Sequence, residues 1–233
     1  MTKTVLLNFA EHKDLKIITD KSAALGDDCH YAFTFVSEFR QVQAHYPIFL
    51  QKDSQTGQFL PTALLGLKPQ QNLFLQQNCW QASYIPLAIE RLPFSIGVQG
   101  EQRVIHIDLA SPKISTTQGE ALFGEFGAYT PYLERIGQSL ELLHQGVAEN
   151  AQFISSLLEY HLLESLSLDI ELNSGETMQL SGLYTINENK LAELSADTLK
   201  TLQQQGMLDA IYMMLASQSQ LANLVQKANA LQG

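Results

Sequence analysis

The residues best suited to chemistry in this chain are few, and they group in four places. His106-Ile107-Asp108 alternates a histidine with a carboxylate, and on a strand residues i and i+2 share a face. Joined by a later histidine, His161 or His144, that pair has the composition of the facial triad of non-haem Fe(II) oxygenases. Both later histidines fall on expected helices, however, and no arginine follows Arg135 to hold a co-substrate carboxylate. Ordinary strand residues are the preferred reading, and no cofactor is expected. Asp27-Asp28-Cys29-His30 is also rich in ligand types, but neighbours in extended chain point to opposite faces, so at most two could meet one ion. That segment reads as a surface turn.

Pro93-Phe94-Ser95-Ile96-Gly97 resembles a GxSxG nucleophile elbow with proline at the first glycine. The elbow needs a helix directly behind the serine, whereas Val98 to Leu109 reads as extended chain. Gly124-Glu125-Phe126-Gly127 has the glycine spacing of a backbone-clamping GxxG loop, but a glutamate there would repel phosphate. Neither GxxxxGK nor GxGxxG occurs, so no nucleotide-phosphate cradle is indicated. These residues leave the question of an enzyme open, leaning toward a non-enzyme.

Residues 45–94 carry the densest aromatic and proline signal, including the single tryptophan, Trp80. Tyr46, Trp80, Tyr84 and Arg91 combine flat apolar surface with polar tips, the mixture enriched where proteins recognise ligands. They are the expected ligand-binding residues, with rings standing partly open to water. The competing use is core filling by Phe49, Phe74, Trp80 and Phe94, because each buried ring removes ~150–250 Å² from water. A buried Arg91 would need a partner, for which Glu38 and Asp108 are candidates.

The elements that must position these groups divide by period. Tyr31 to Phe39 and Arg103 to Leu109 alternate at period two, as strands do, and Gly57, Pro61, Gly66, Pro69, Pro86, Pro93, Gly97 and Gly100 cut the rest of this half into short pieces. One short helix is expected over Ser37 to His45. Beyond Thr130-Pro131, an N-cap followed by proline at the first helical position, Leu133, Ile136, Leu140 and Leu143 recur at helical spacing up to Gly146. Asn150 is the expected cap of a second helix through Leu162. Leu166–Leu172 and Met178–Ile186 flank Asn173-Ser174-Gly175-Glu176 as a β-hairpin. Ser195 caps a helix reaching Gly206, and a further apolar run continues from Leu208 to Val225.

The expected fold class is therefore α+β: a β-rich region over 1–115 and an acidic helical region over 116–233 carrying a hairpin near 166–186, integrated as one domain. At 233 residues and 45% hydrophobic content the chain can bury roughly 70–75% of its unfolded surface. Cys29 and Cys79 match no zinc or redox spacing, so reduced thiols are expected. The N-terminal stretch lacks a secretory apolar region, and no apolar run approaches the ~20 residues that span a bilayer. The expected compartment is the cytoplasm, without membrane insertion.

The net charge of −10 comes wholly from the second half. Residues 1–113 balance ten Lys and Arg against ten Asp and Glu, while 114–233 carry four against fourteen. Nucleic acid is disfavoured as a partner, and a basic protein or peptide is what such a field attracts.

An ordered series of short motifs resembles the SapC family of bacterial proteins: Glu38-Phe39, Tyr46-Pro47-Ile48, Leu64-Leu65-Gly66, Asn72-Leu73-Phe74, Trp80 with Tyr84-Ile85-Pro86, Pro93-Phe94, Gly119 with Leu122-Phe123, Gly127 with Thr130, and Gly206-Met207-Leu208. Asn8-Phe9 stands where the family has an Asn-Pro pair, and Ala88-Ile89-Glu90-Arg91 where a more basic run is usual. The resemblance implies an S-layer-associated or peptide-transport accessory protein. Its neighbours would be flavin-dependent, halogenase-like enzymes, cupin-like proteins and TonB-dependent receptors. It supplies no catalytic residues. Three classes follow: a binding or adaptor protein for a peptide, protein or glycan; an Fe(II) oxygenase using His106, Asp108 and His161; and a surface-layer structural component.

Overall fold

The computed structural model of the protein describes residues 3–100 and 102–231. Met1, Thr2, Glu101, Gln232 and Gly233 lie outside the described residues, so the expected extended run Val98–Leu109 is described without Glu101. Along the chain run β1 (Thr4–Leu6), α1 (Phe9–His12), β2 (Lys16–Ile17), β3 (Tyr31–Phe33), α2 (Phe39–Val42), β4 (Ile48–Lys52), β5 (Phe59–Leu64), β6 (Leu75–Gln76), β7 (Cys79–Trp80), α3 (Leu87–Glu90), β8 (Phe94–Gln99) and β9 (Gln102–Asp108). Then follow β10 (Ile114–Ser115), β11 (Glu120–Ala121), α4 (Pro131–Glu159), β12 (Leu163–Glu171), β13 (Thr177–Ile186), α5 (Glu188–Ala192), α6 (Ala196–Gln204), α7 (Met207–Ser217) and α8 (Gln220–Ala230). The fold is α+β, strand-rich first and helical later.

These elements form two compact units interleaved along the chain. The first comprises Met1–Asp28, Leu75–Gln81 and Leu87–Gln145; the second comprises Cys29–Phe74, Ala82–Pro86 and Gly146–Gly233. The change of sequence period near residue 115 falls inside the first unit.

In the first unit β9 is the centre of an antiparallel sheet ordered β1-β9-β8, β2 is flanked by β10 and β11, and β6 with β7 makes a two-stranded ribbon. The alternation read in 103–109 places Ile107 in the core with Phe94, Leu122 and Leu133. Asp27 is buried here rather than in a surface turn, its Oδ2 accepting from Lys113 Nζ at 2.8 Å and from the Ser22 amide at 3.0 Å. The ion pair explains why a carboxylate can leave water at that point.

The second unit is built on a five-stranded sheet ordered β12-β13-β4-β5-β3, antiparallel at every pairing. The hairpin expected near 166–186 is β12 and β13, closed by a turn in which Gly175 takes φ +81, a conformation that glycine adopts without the Cβ clash of other residues. Helix α7 is tied to the sheet by Ser217 Oγ, which accepts from the Ile48 amide at 2.8 Å. The apolar run from Leu208 to Val225 is split into α7 and α8. Ser217 and Ser219 there donate to the carbonyls of Met214 and Ala216, drawing the backbone out of helical pairing.

Two further expectations are corrected. Tyr31–Phe39 is not one strand: β3 stops at Phe33 and a 3-10 turn over Val36–Glu38 leads into α2, within the helix expected over 37–45. The amide of Phe35 is taken by Glu38 Oε1 at 3.2 Å and that of Val36 by Asn150 Oδ1 at 3.0 Å, so neither can extend the ladder. Nor does Asn150 cap a second helix, because α4 runs unbroken for 29 residues through both Gly146 and Asn150. Glycine and asparagine are poor helix formers, but each makes a contact from within α4 that a helix end would not allow. Among the described residues no helix is long and apolar enough to cross a membrane.

Candidate functional site

The four residues expected to bind ligand lie in both units. Tyr46 and Tyr84 come together in the second, joined as a buried relay. Tyr46 is 0% exposed, its ring edge-on to Phe74 at 4.7 Å and its hydroxyl donating to the Tyr84 carbonyl. The half-buried Tyr84 donates its own hydroxyl to Glu38 Oε2 at 2.7 Å. Glu38, itself buried, accepts at Oε1 from the Thr34 hydroxyl at 2.9 Å. Tyr46 lies in the turn between α2 and β4, its amide donating to the Val42 carbonyl at 2.9 Å, and its ring is sealed in the core instead of standing open to water. Phe49, Phe74 and Phe94 are likewise core residues.

Trp80 and Arg91 belong to the first unit. Trp80 is half-buried on β7 opposite Leu75. The Arg91 guanidinium donates to the Phe94 carbonyl, not to Glu38 or Asp108, and burial holds its pKa below the ordinary guanidinium value. Neighbouring Glu90 pairs with Lys21 at 3.2 Å.

The oxygenase constellation is used otherwise. The Asp108 carboxylate accepts from the amides of Lys3 at 2.8 Å and Ala110 at 3.0 Å, closing the end of β9. The His106 ring lies across β8 on Gly97, where a methyl group would come within 2.5 Å of it. His161 takes φ +53 just beyond α4, its amide donating to the Leu158 carbonyl. Among the described residues no three His, Cys, Asp or Glu side chains are placed to hold a metal ion.

A serine–histidine contact that sequence reading missed joins Ser83 Oγ to His45 Nε2 at 2.8 Å. A nucleophile of this kind needs a third group to orient the imidazole. Among the described residues none bonds His45 Nδ1, and the contact is a solvent-exposed hydrogen bond.

An apolar concave site of the second unit lies elsewhere, between β3, the start of β5 and α4. It is a cleft of about 740 Å³ whose walls include Phe33, Phe35, Phe59, Pro61, Ile154 and Leu158. No ionisable side chain lines it. Phe33, 45% exposed, and Leu158 stand at its surface, and Lys52 Nζ lies 5.5 Å from the centre of the Phe59 ring, within cation–π range.

Gly146, Asn150, Ile154 and Leu158 are spaced by four and so share one stripe of α4. Gly146 leaves room for the Phe35 ring, since a Cβ there would meet Phe35 Cδ1 at 2.5 Å. Asn150 holds the segment after β3 from both sides, Nδ2 donating to the Thr34 carbonyl and Oδ1 accepting from the Val36 amide, each at 3.0 Å. The stripe was available in the sequence, but glycine and asparagine there read locally as a helix end and a cap. An apolar cleft of this size has the character of a binding site, and no side chain lining it could act as acid, base or nucleophile beyond the Thr34 and Ser155 hydroxyls.

The chain matches the SapC family over residues 7–224 and belongs to it. No curated protein and no solved structure matches it.

Proposed function

We propose that this SapC-family chain is a binding protein that takes an apolar segment of a polypeptide partner into the cleft between β3, β5 and α4. One observation carries the reading: a cleft of about 740 Å³ walled by Phe33, Phe35, Phe59, Pro61, Ile154 and Leu158 with no ionisable group along it. Sites of such volume and lining hold ligands mainly by removing apolar surface from water, with a few polar groups fixing orientation. A glycan would find only the side chains of Thr34, Gln58, Asn150 and Ser155 as polar partners on these walls, too few for its many hydroxyls, which favours a peptide among the ligand classes considered.

The field is consistent with that choice. The second unit carries twelve Asp and Glu against six Lys and Arg, so an acidic segment is repelled and a basic-flanked one attracted. Tyr46 and Tyr84 support the cleft from behind: through Glu38 they fix Thr34 and Phe35, two of the residues that line it. In this reading they act on the wall and do not touch the ligand. The role is that of an adaptor or carrier for a peptide or protein.

The test is selection of displayed peptides on the full chain, followed by affinity measurement with Phe33→Glu and Leu158→Glu. Selected sequences should be rich in Val, Leu and Phe, and each substitution should weaken them by roughly ten-fold or more, since burial of a large apolar side chain contributes about 1.5–3 kcal/mol. Peptides whose affinity neither substitution changes would place recognition elsewhere and overturn the proposal.

A further inference from the structure

We propose that the partner segment is bound as an added β-strand along the free edge of β3; the inference rests on the cleft being the recognition site. Hydrogen bonds from the Leu65 amide to the His30 carbonyl and from the Thr34 amide to the Pro61 carbonyl set the phase of the β3–β5 ladder, in which Ala32 faces Ala63. In an antiparallel pair the backbone groups of alternate residues point to the partner strand. The His30 carbonyl, the backbone groups of Ala32 and the Thr34 amide therefore face β5, and those of Tyr31 and Phe33 face outward, on the side where the sheet order ends. The same two residues present their rings as an edge-to-face pair at 5.8 Å, and Phe33 opens into the cleft.

The two edges of this sheet are treated differently. β12 carries exposed Glu164, Asp169 and Glu171 and a register shift between Leu166 and Leu168, the charge and irregularity that keep an edge from pairing. β3 has no charged residue and no irregularity, and an apolar cleft lies beside it. An unprotected edge beside a pocket for alternate side chains is the arrangement of strand-addition recognition, in which backbone bonds give affinity and pockets give specificity. Charge selects the occupant further. The walls are uncharged and the unit is acidic, so the fitting partner is an extended segment with apolar residues at alternate positions and Lys or Arg flanks. Its footprint is short, because Asn150 and Glu38 already hold the backbone groups of Thr34, Phe35 and Val36.

The experiment uses the full chain and a fluorescein-labelled peptide, Lys-Lys-Val-Thr-Phe-Thr-Val-Lys-Lys, read by polarisation. Two isomers are compared with it, one N-methylated at the Phe and second Val amides and one at the two Thr amides. Strand addition uses only one set of amides, so one isomer should lose ten-fold or more in affinity while the other stays within about three-fold. Replacing the Lys flanks by Glu should also weaken binding. If both isomers bind like the parent, or both lose alike, strand addition is overturned; binding that remains sensitive to Phe33→Glu would then leave the cleft in place. A parent peptide that fails to bind, or binds Phe33→Glu equally well, overturns both proposals.

Discussion

Asn150 donates through Nδ2 to the Thr34 carbonyl at 3.0 Å from a position 116 residues further along the chain. Its Oδ1 accepts at the same time from the Val36 amide, so one side chain on α4 stands in for a neighbouring strand just where β3 ends. Asn150→Ala leaves the buried Thr34 carbonyl and the part-buried Val36 amide without that partner. The expected loss is about 2–6 kcal/mol, counting ~1–3 kcal/mol for each group stranded, with the part-buried amide at the low end. Chemical denaturation should show a lower midpoint, and Asn150→Asp, which keeps the acceptor but sets a carboxylate oxygen against the buried Thr34 carbonyl, should fall at least as low at neutral pH.

Gly146 and Gly137 offer a comparison within one helix. An alanine in a helix interior is ordinarily favoured over glycine by about 0.5–1 kcal/mol. At Gly137 the added methyl would meet Ile105 Cδ1 at 3.8 Å, an ordinary contact, so Gly137→Ala should be neutral or stabilising. At Gly146 it would meet the root of the Phe35 side chain, Cβ and Cγ at 2.9 Å as well as Cδ1 at 2.5 Å. Gly146→Ala should therefore destabilise by ~1–3 kcal/mol, the cost of overpacking. Thermal denaturation of the two variants should give shifts of opposite sign, or at least a shift confined to Gly146→Ala.

Gly146 and Asn150 mark where sequence reading stops. The hairpin of β12 and β13, the cap at Thr130 and the cap at Ser195 were legible because their signals are local: Gly175 in the turn, Thr130 before Pro131, and Ser195 accepting from the Thr198 amide. The long α4 was half legible, because Gly146 and Asn150 lower helix propensity locally while their reward lies in Phe35, Thr34 and Val36, more than a hundred residues away. Tyr46 misled for a related reason. A phenol reads as amphipathic surface until its hydroxyl finds a buried acceptor, and that acceptor is the carbonyl of Tyr84, which side-chain chemistry cannot foretell.

Tyr84→Phe separates support of the cleft from contact with the ligand. The substitution removes the hydroxyl that donates to Glu38 at 2.7 Å and leaves the ring. A hydrogen bond contributes about 0.5–1.5 kcal/mol, and about 1.5–3 where one partner is charged, so a stability loss of ~0.5–3 kcal/mol is expected for a half-buried donor on a buried carboxyl group. Peptide affinity at a temperature where the variant is fully folded should change far less than in Phe33→Glu. An affinity loss equal to that of Phe33→Glu, with unchanged denaturation, would instead make Tyr84 a contact residue.

Lys113 and Asp27 supply a pH-dependent prediction. Both side chains are buried and meet at 2.8 Å, and removal of one partner from a buried pair costs about 3–5 kcal/mol because the other charge is left uncompensated. Asp27→Asn and Lys113→Met should both show that loss. Burial lowers the Lys113 pKa, and the bond to Asp27 only partly opposes it. Between that lowered folded value and the unfolded value of 10.5, the unfolded chain therefore holds a proton that the folded chain has released. Stability attributable to Lys113 must rise with pH across this alkaline window, since the unfolded state binds more protons there. Below the window Lys113 contributes no slope. Denaturation midpoints measured from neutral pH to about 10.5 should thus show the deficit of Lys113→Met relative to the parent widening as pH increases, whereas a deficit that narrows would mean that the ion pair holds the lysine charged and raises its pKa.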